Sequence, residues 1–154
     1  KRQVNGWSTS PKKIPKVQTY HGNSNLKTVL NLADILILLL PDTPNTQNII
    51  NTKTLSYLHE GSVLINPGRG PLIDDDALIS ALTSGRLSAA CLDVFRSEPL
   101  PPNHPYWLMP NVTVTPHIAS GTRAATAAEV IVENIVRGES GMPFLYLVDR
   151  EAGY

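Results

Sequence analysis

Apolar runs of four to eight residues alternate along this chain with segments in which apolar residues recur every three or four positions. Four runs, at 33–40, 62–66, 89–94 and 111–115, predict strands, and a weaker run predicts a short strand at 17–20. Such alternation is typical of an α/β layer structure. Because 33–40 and 89–94 are apolar almost throughout, they favour a parallel sheet that is covered on both faces.

Helical spacing is clearest in the segments that separate these runs. The apolar positions concerned are Leu26, Val29, Leu30 and Ala33, then Leu55 and Leu58, then Ala77, Leu78, Ala81 and Leu82. Asp74 to Asp76 predict the start of the third of these helices, and Gly85 predicts its end. The longest helix is expected at about 122–137, with Gly138 as its stop.

Composition and charge narrow the class of protein. The 154 residues are 42% hydrophobic and 17% charged, which is typical of a globular protein of about one domain and excludes a disordered or fibrous chain. The 13 basic and 13 acidic residues cancel, yet six cationic residues precede the first acidic one, Asp34. A single cysteine, Cys91, excludes an internal disulfide and favours a reducing compartment. The longest apolar run is far shorter than the roughly 20 residues that cross a bilayer.

Three charged side chains each follow a different predicted strand. Arg69, Glu98 and His117 come after the second, third and fourth of the four main runs, in turns or loops that contain proline. Singly, each is also compatible with a solvated loop residue. In an open parallel sheet, however, the carboxyl ends of the strands share the edge at which ligands bind. An arginine for a carboxylate, a proton-donating histidine and a carboxylate beside that histidine together suit the reduction of a 2-oxo acid.

Three motifs carry a family resemblance. They are I-N-x-x-R-G at 65–70, L-D-V-F-x-x-E-P-L-P at 92–101 and T-P-H-I-A at 115–119. In these motifs the chain resembles the D-isomer-specific 2-hydroxyacid dehydrogenases. The segments at 6–10 and 148–154 resemble the glyoxylate/hydroxypyruvate reductase A branch of that family. The resemblance extends over essentially the whole chain.

The resemblance implies a role for each of the three charged residues. Arg69 would bind the substrate carboxylate and keto oxygen, His117 would donate the proton, and Glu98 would hold the imidazole protonated. Hydride would come from a nicotinamide, and no metal is implied. Cofactor contacts are implied for Leu40, Pro41, Thr46, Asn66, Pro67, Gly68, Arg69, Asp93, His117 and Ser120.

The choice of cofactor follows from the segment after the expected second strand of a Rossmann unit. It has no acidic residue to bind the ribose hydroxyls of NAD, whereas Ser8, Ser10 and Lys12 offer hydroxyls and an ammonium group for the extra phosphate of NADP. Related reductases carry one or two arginines where Thr9 and Pro11 stand. We therefore expect NADP, with NAD as the alternative. A basic arm that is solvated or binds nucleic acid is the other interpretation of this segment.

The chain contains no G-x-G-x-x-G turn, and members of the family are about twice as long. We therefore expect an incomplete Rossmann-like, doubly wound parallel sheet, without its first strand, its glycine-rich turn and most of the substrate domain. Residues 1–120 would form the partial NAD(P)-binding domain, and 121–154 a C-terminal helix and tail that return to the substrate domain. Because the first strand lies centrally in the 3-2-1-4-5-6 order, the sheet should contain a gap. The 154 residues alone should not bind cofactor stably.

The resulting expectation is NADPH-dependent reduction of glyoxylate and hydroxypyruvate to glycolate and glycerate. The resemblance implies a cytoplasmic homodimer that acts on a small 2-oxo acid, with neither nucleic acid nor membrane as a partner. Three alternatives stay open. They are another, NAD-dependent D-2-hydroxyacid dehydrogenase, an inactive fragment, and a nucleotide-sensing binding module.

Overall fold

The computed structural model describes residues 3–151, which form an α/β fold in two compact units. The first unit ends at His117 and the second begins at Ile118. The first unit holds every strand of the described residues, and the second is built around one long helix. The α/β class expected from the sequence is confirmed.

The strands of the first unit form two parallel sheets. They are β1 (Asn5–Ser8), β2 (Gln18–His21), β3 (Ile35–Ile37), β4 (Ser62–Asn66), β5 (Leu87–Leu92) and β6 (Val112–Val114). β1 pairs with β2, and the larger sheet has the order β3-β4-β5-β6. Every pairing is parallel, as predicted, so the carboxyl ends of β3 to β6 lie at one edge.

Three α-helices lie among the described residues of the first unit, and the third of them has the cap chemistry that the sequence predicts. They are α1 (Leu26–Leu30), α2 (Thr52–Leu55) and α3 (Asp75–Thr83). Asp74 is the N-cap of α3, where its carboxylate accepts a hydrogen bond from the backbone nitrogen of Ala77 at 3.1 Å. Gly85 follows the helix with φ +76°, a conformation that glycine adopts without steric cost.

The helix of the second unit, α4, covers Ala124–Glu139. Gly138 does not stop it, contrary to the sequence prediction. The glycine in the left-handed region is Gly141, with φ +68°, one residue after the C-cap Ser140. Gly138 instead faces Phe144, whose ring carbon would lie 3.1 Å from a Cβ at that position. No helix among residues 3–151 has the length and apolarity needed to span a membrane.

The core of the first unit lies between the larger sheet and the helices α2 and α3. Its fully buried side chains include Leu64 on β4, Leu78 on α3 and Leu92 on β5, each at most 2% exposed. Alternate residues of β4 are fully buried, and the residues between them are partly covered. Burial of such leucines is worth about 2 kcal/mol each, so this cluster fixes the spacing of the strands that carry the site.

The outer strand β3 has a single hydrogen-bonded neighbour in the larger sheet. It pairs with β4 on one side and, among the described residues, is not hydrogen-bonded to β1 or β2, so the strands form two separate sheets. Cover on both faces was expected for this strand and is wrong, because Ile35, Ile37 and Leu39 are 42%, 53% and 76% exposed. β3 is also shorter than the predicted run 33–40, since it has a single neighbour to extend its ladder.

Gly70 lies where the loops after β4 and β5 meet. A Cβ built on it would lie 2.0 Å from the carbonyl carbon of Phe95 and 2.5 Å from the backbone nitrogen of Arg96. Backbone atoms cannot turn aside as a flexible side chain can, so glycine alone fits this position. The two loops are therefore in direct backbone contact.

Replacing Gly70 with alanine is expected to force these loops apart and to lower the free energy of unfolding by about 3 kcal/mol, the cost of severe overpacking. Gly121→Ala is the matched control, because nothing lies within 4 Å of a Cβ there. Denaturant unfolding of both variants of the full-length protein measures the difference in the free energy of unfolding. Equal stability of the two variants would contradict the close contact.

Candidate functional site

The turn that presents Arg69 is held by a buried side chain, Asn66, at the carboxyl end of β4. The amide oxygen of Asn66 accepts a hydrogen bond from the backbone nitrogen of Gly68 at 3.1 Å, and its amide nitrogen donates to the carbonyl oxygen of Arg69 at 3.0 Å. Asn66 is 0% exposed, whereas Arg69 is exposed. Asn66 thus stabilises the conformation of the turn, which Pro67 and Gly68 complete.

The end of β3 packs directly against this turn. A Cβ on Gly68 would lie 2.8 Å from the carbonyl oxygen of Leu38, so the two backbones meet here without a side chain between them. Beyond Leu40, the hydroxyl of Thr46 donates to the carbonyl oxygen of Pro41 at 2.6 Å and closes the next turn. Thr46 is 2% exposed. Leu40 and Pro41 follow Leu38, whose carbonyl oxygen meets the Arg69 turn, by two and three residues.

Glu98 and His117 form an ion pair across the loops after β5 and β6. The Oε2 atom of Glu98 lies 2.8 Å from the Nδ1 atom of His117, and its Oε1 atom accepts a hydrogen bond from the backbone nitrogen of Phe95 at 2.9 Å. The His117 hydrogen bond, and after it the Phe95 hydrogen bond, lower the pKa of the Glu98 carboxyl. Glu98 is therefore ionised near neutral pH and holds the imidazole by one nitrogen.

The backbone at His117 has an unusual conformation. Its φ is +55°, in the left-handed region that residues other than glycine seldom adopt, and its backbone nitrogen donates to the carbonyl oxygen of Thr115 at 3.1 Å. Strain of this kind persists where the surroundings enforce it, and it is frequent at functional sites. Here it turns the imidazole toward Glu98.

Asp93 is the buried acid of the site. It is 4% exposed, its backbone nitrogen donates to the carbonyl oxygen of Asn66 at 3.0 Å, and its carboxylate accepts a hydrogen bond from the hydroxyl of Thr115. Asp93 thus joins the ends of β4, β5 and β6, through its backbone nitrogen on one side and its carboxylate on the other. Thr115 has no role in the sequence prediction, although its place immediately after a strand and two residues before His117 is a signal for one.

The residues predicted to contact the extra phosphate lie at the end of β1, in the smaller sheet. The Ser8 hydroxyl donates to the carbonyl oxygen of Ser10 at 2.7 Å, and the carbonyl oxygen of Lys12 accepts a hydrogen bond from the Thr19 hydroxyl at 2.8 Å. Ser10 and Lys12 are exposed. Ser120 belongs to the second unit.

The structure thus brings most of the predicted site residues to one edge of the larger sheet. Glu98 and His117 are in direct contact, and the Arg69 turn is tied to their loops through Gly70 and Asp93. Among the described residues, Arg69 forms no ion pair with Glu98, and the two loops are joined by backbone contacts instead. The backbone contacts of Gly70, which carry this connection, have no counterpart in the sequence analysis.

The residues present fit a dinucleotide in two of its parts. The segment at the end of β1 offers hydroxyls and lysines, and no acidic residue occurs among residues 3–33, which suits a ribose that bears a phosphate. The buried carboxylate of Asp93 is an acceptor suited to the amide of a nicotinamide. The glycine-rich turn that binds a pyrophosphate does not occur in this sequence.

The lowered pKa of Glu98 predicts how stability depends on pH. A carboxyl whose folded pKa lies below its ordinary value of 4.5 stabilises the fold above that value, and the contribution is lost as the pH falls through the lowered folded pKa. Glu98→Gln should therefore flatten the fall in unfolding free energy below about pH 4.5. Glu60→Gln, at an exposed position, should leave the curve unchanged. Denaturant unfolding between pH 3 and 7 measures this, and identical curves for both variants would contradict it.

A family model supports the identity that the motifs indicate. Residues 1–119 match the model for the NAD binding domain of D-isomer specific 2-hydroxyacid dehydrogenases, which is more than half of the chain. The matched span includes the three motifs in which Arg69, Glu98 and His117 occur.

Solved structures of the same family are similar over nearly the whole chain. A D-isomer specific 2-hydroxyacid dehydrogenase from Xanthobacter autotrophicus Py2, in complex with NADPH and MES, is 47% identical with a TM-score of 0.96, over 99% of this chain and 63% of that one. An NADPH-dependent glyoxylate/hydroxypyruvate reductase from Sinorhizobium meliloti, in complex with NADP and sulfate, is 39% identical with a TM-score of 0.92, over 99% of this chain and 49% of that one.

A third structure agrees with these two. It is a probable 2-hydroxyacid dehydrogenase from Rhizobium etli CFN 42, in complex with NADP, HEPES and L(+)-tartaric acid, which is 36% identical with a TM-score of 0.90 over 99% of this chain and 49% of that one. The chain thus spans between about half and two thirds of these relatives. On the match to residues 1–119 and on these structures, the chain belongs to the D-isomer-specific 2-hydroxyacid dehydrogenase family, and its residues 1–119 match the NAD-binding domain of that family.

Proposed function

We propose that this chain is the part of an NADPH-dependent reductase of small 2-oxo acids, of the glyoxylate and hydroxypyruvate type, that supplies the acid-base and carboxylate-binding groups. The observation that carries the proposal is the Glu98–His117 ion pair of 2.8 Å, in which the loop that bears Glu98 is in backbone contact with Gly70, next to Arg69. The Sinorhizobium meliloti relative, named as a glyoxylate/hydroxypyruvate reductase, supports the substrate class.

Arg69 is the group that binds the substrate acid. It is exposed at the tip of a turn that Asn66 holds from within, and a guanidinium can bind a carboxylate through two parallel hydrogen bonds. A rigid turn reduces the entropy lost when the substrate is oriented. Arg69 therefore sets the position of the oxo group relative to the imidazole.

His117 is the proton donor. Its Nδ1 atom is occupied by Glu98, which leaves Nε2 as the ring nitrogen that donates to the substrate oxygen. A nicotinamide held at this site would supply the hydride for the carbonyl carbon. The proton from Nε2 goes to the carbonyl oxygen, so the C=O group becomes CH–OH and His117 is left neutral until water protonates it again. Glu98 stabilises the charged imidazole before this transfer.

Ser8, Ser10 and Lys12 are proposed to select NADPH over NADH. The segment at the end of β1 offers hydroxyls and an ammonium group, and an acidic residue that would repel a phosphate is absent from residues 3–33. Leu40, Pro41 and Asp93 are proposed to line the rest of the nucleotide site. Asn66, Pro67, Gly68 and Thr46 shape its turns, and Ser120, three residues after His117 in the chain, is proposed as a further cofactor contact.

The organisation of the whole protein is part of the proposal. Residues 1–120 would belong to the NAD(P)-binding domain, and 121–154 would return to the substrate domain. A cytoplasmic location and a homodimer are also part of the proposal. Exposed Trp107 and Leu108, at 51% and 89%, support the homodimer, in which this loop would be covered. The molecular mass of the purified protein in solution tests the dimer.

Loss of the proton donor is expected to abolish most of the activity. His117→Gln should lower kcat for glyoxylate by about 100-fold or more, the usual contribution of a general acid. Arg69→Lys should mainly raise KM for glyoxylate, because an ammonium cannot bind a carboxylate through two parallel bonds. The measurement is glyoxylate-dependent oxidation of NADPH by the protein as its own gene encodes it, with His59→Gln as the control.

If both variants oxidised NADPH at the wild-type rate, the proposed reaction would be wrong. If the wild type bound NADPH but turned over neither glyoxylate nor hydroxypyruvate, a nucleotide-sensing binding module would be favoured instead. Binding of neither nucleotide would favour an inactive fragment.

The selection of NADPH depends on Lys12. Lys12→Ala should raise KM for NADPH about fivefold, since removal of one phosphate contact costs about 1 kcal/mol at an exposed site, and should leave KM for NADH unchanged. Lys53→Ala, on α2, is the matched control. Steady-state kinetics with both nucleotides measure the effect. Faster turnover of NADH than NADPH by the wild type would favour an NAD-dependent dehydrogenase of the same family.

A further inference from the structure

We propose that Arg96 is a positioning residue, whose guanidinium ties the loop that bears Glu98 to the segment that bears Arg69. It occupies one of the two variable positions of the L-D-V-F-x-x-E-P-L-P motif, so the family resemblance assigns it no role. The inference rests on the proposed function for the reaction that is served. The tie itself is independent of that reaction.

The side chain of Arg96 crosses from the loop after β5 to the loop that leads into α3. Its Nε atom donates to the carbonyl oxygen of Ile73 at 2.9 Å, and its Nη2 atom donates to the carbonyl oxygen of Pro71 at 3.3 Å. Nη2 also donates to the carbonyl oxygen of Ile73 and to the side-chain oxygen of Asn48. One guanidinium therefore contacts two residues of the loop that leads into α3, Pro71 and Ile73, and one residue of the segment before α2, Asn48.

An ion pair supports the same tie. The Nε atom of Arg96 lies 3.7 Å from Oδ2 of Asp75, in the first turn of α3, and Oδ1 of Asp75 accepts a hydrogen bond from the Tyr106 hydroxyl at 2.8 Å. Tyr106 is 2% exposed, and burial, with the Asp75 charge beside it, raises the pKa of its hydroxyl. The Asp75 carboxylate is thus fixed by a buried neutral donor, which makes it a rigid anchor for Arg96.

Both ends of this tie lead to the site within a few residues. On one side, Ile73 and Pro71 follow Arg69 and Gly70 in a short 3-10 turn, and the backbone nitrogen of Ile73 donates to the carbonyl oxygen of Gly70 at 3.1 Å. On the other side, Phe95 precedes Arg96, and its backbone nitrogen binds the carboxylate of Glu98.

The contact at Gly70 explains why a second restraint is needed. Gly70 keeps the two backbones close by allowing approach, but a small residue does not itself prevent them from sliding past one another. Hydrogen bonds from a planar guanidinium to fixed carbonyl oxygens restrain both distance and direction. Arg96 therefore sets the place of Glu98, and through it His117, relative to Arg69.

A merely structural arginine would behave differently, and Arg86 provides the comparison. Its Nη2 atom also donates to two backbone carbonyl oxygens, those of Ser56 at 2.6 Å and Leu58 at 2.9 Å. Arg86 lies before the first residue of β5, at the opposite edge of the sheet from Glu98. Arg86→Lys is thus a matched control for Arg96→Lys, because both keep the charge and lose the planar fork.

The experiment measures two quantities in the protein as its own gene encodes it. The first is the pKa of the Glu98 carboxyl, measured by carbon-13 NMR. The charged groups that act on this carboxyl are His117 and Asp93. The second is kcat and KM for glyoxylate and NADPH. Arg96→Lys should move the pKa of Glu98 up toward its ordinary value and lower kcat about tenfold, with KM for NADPH unchanged.

Arg86→Lys should lower the melting temperature without changing either quantity. Asn48→Gly removes one acceptor of the tie without altering the loop, and its φ of +52° suits glycine, so this variant should shift both quantities less and in the same direction. It also serves if Arg96→Lys does not fold.

Three results would overturn the inference. They are an unchanged Glu98 pKa in folded Arg96→Lys, an unchanged kcat in that variant of an active protein, and equal shifts in Arg86→Lys. A protein without reductase activity in which Arg96→Lys still shifts the Glu98 pKa would retain the tie and refute only the proposed reaction.

Discussion

Gly70 lies against the peptide that joins Phe95 to Arg96 with too little space for a methyl group. This backbone contact joins the loop after β4 to the loop after β5, and much of the site depends on it. Asn66 shapes the turn on one side, and the backbone nitrogen of Phe95 binds the Glu98 carboxylate on the other. Since both partners are backbone, the distance between the two loops is determined by van der Waals radii rather than by adaptable side chains.

Charge is distributed over the site according to depth. Asp93 is buried and shares its carboxylate with Thr115, where it connects the ends of three strands. Glu98 and His117 lie nearer to solvent, with side chains 36% and 50% exposed, so their ion pair gains little stability from Coulomb attraction alone. The ion pair acts instead on geometry. It holds Nδ1 of His117, so that the imidazole has a fixed orientation and Nε2 stays available.

The two sheets carry different groups of the proposed site. The larger sheet carries at its carboxyl edge the residues proposed as acid-base and carboxylate-binding groups, and the smaller sheet ends in the hydroxyls and lysines proposed for the phosphate of NADP. β3, at the edge of the larger sheet, exposes Ile35 and Ile37. Exposure of an apolar strand to water costs free energy, so this face of β3 is suited to being covered by further protein. For this reason the activity is proposed for the larger protein and not for these residues alone.

The sequence by itself determined the class of the fold, the parallel strands, the cap of α3 at Asp74 and the family, because periodicity, cap chemistry and motifs are local in the chain. It also indicated that Arg69, Glu98 and His117 share one edge, which follows from parallel strand direction. Strand extents and the end of α4 were less predictable, since Gly138 and Gly141 differ in tertiary surroundings and not in type. The tertiary structure alone decided that Glu98 contacts His117, that Gly70 meets Phe95 and that Arg96 reaches Ile73, because each contact joins residues on separate loops and depends on how the strands are spaced.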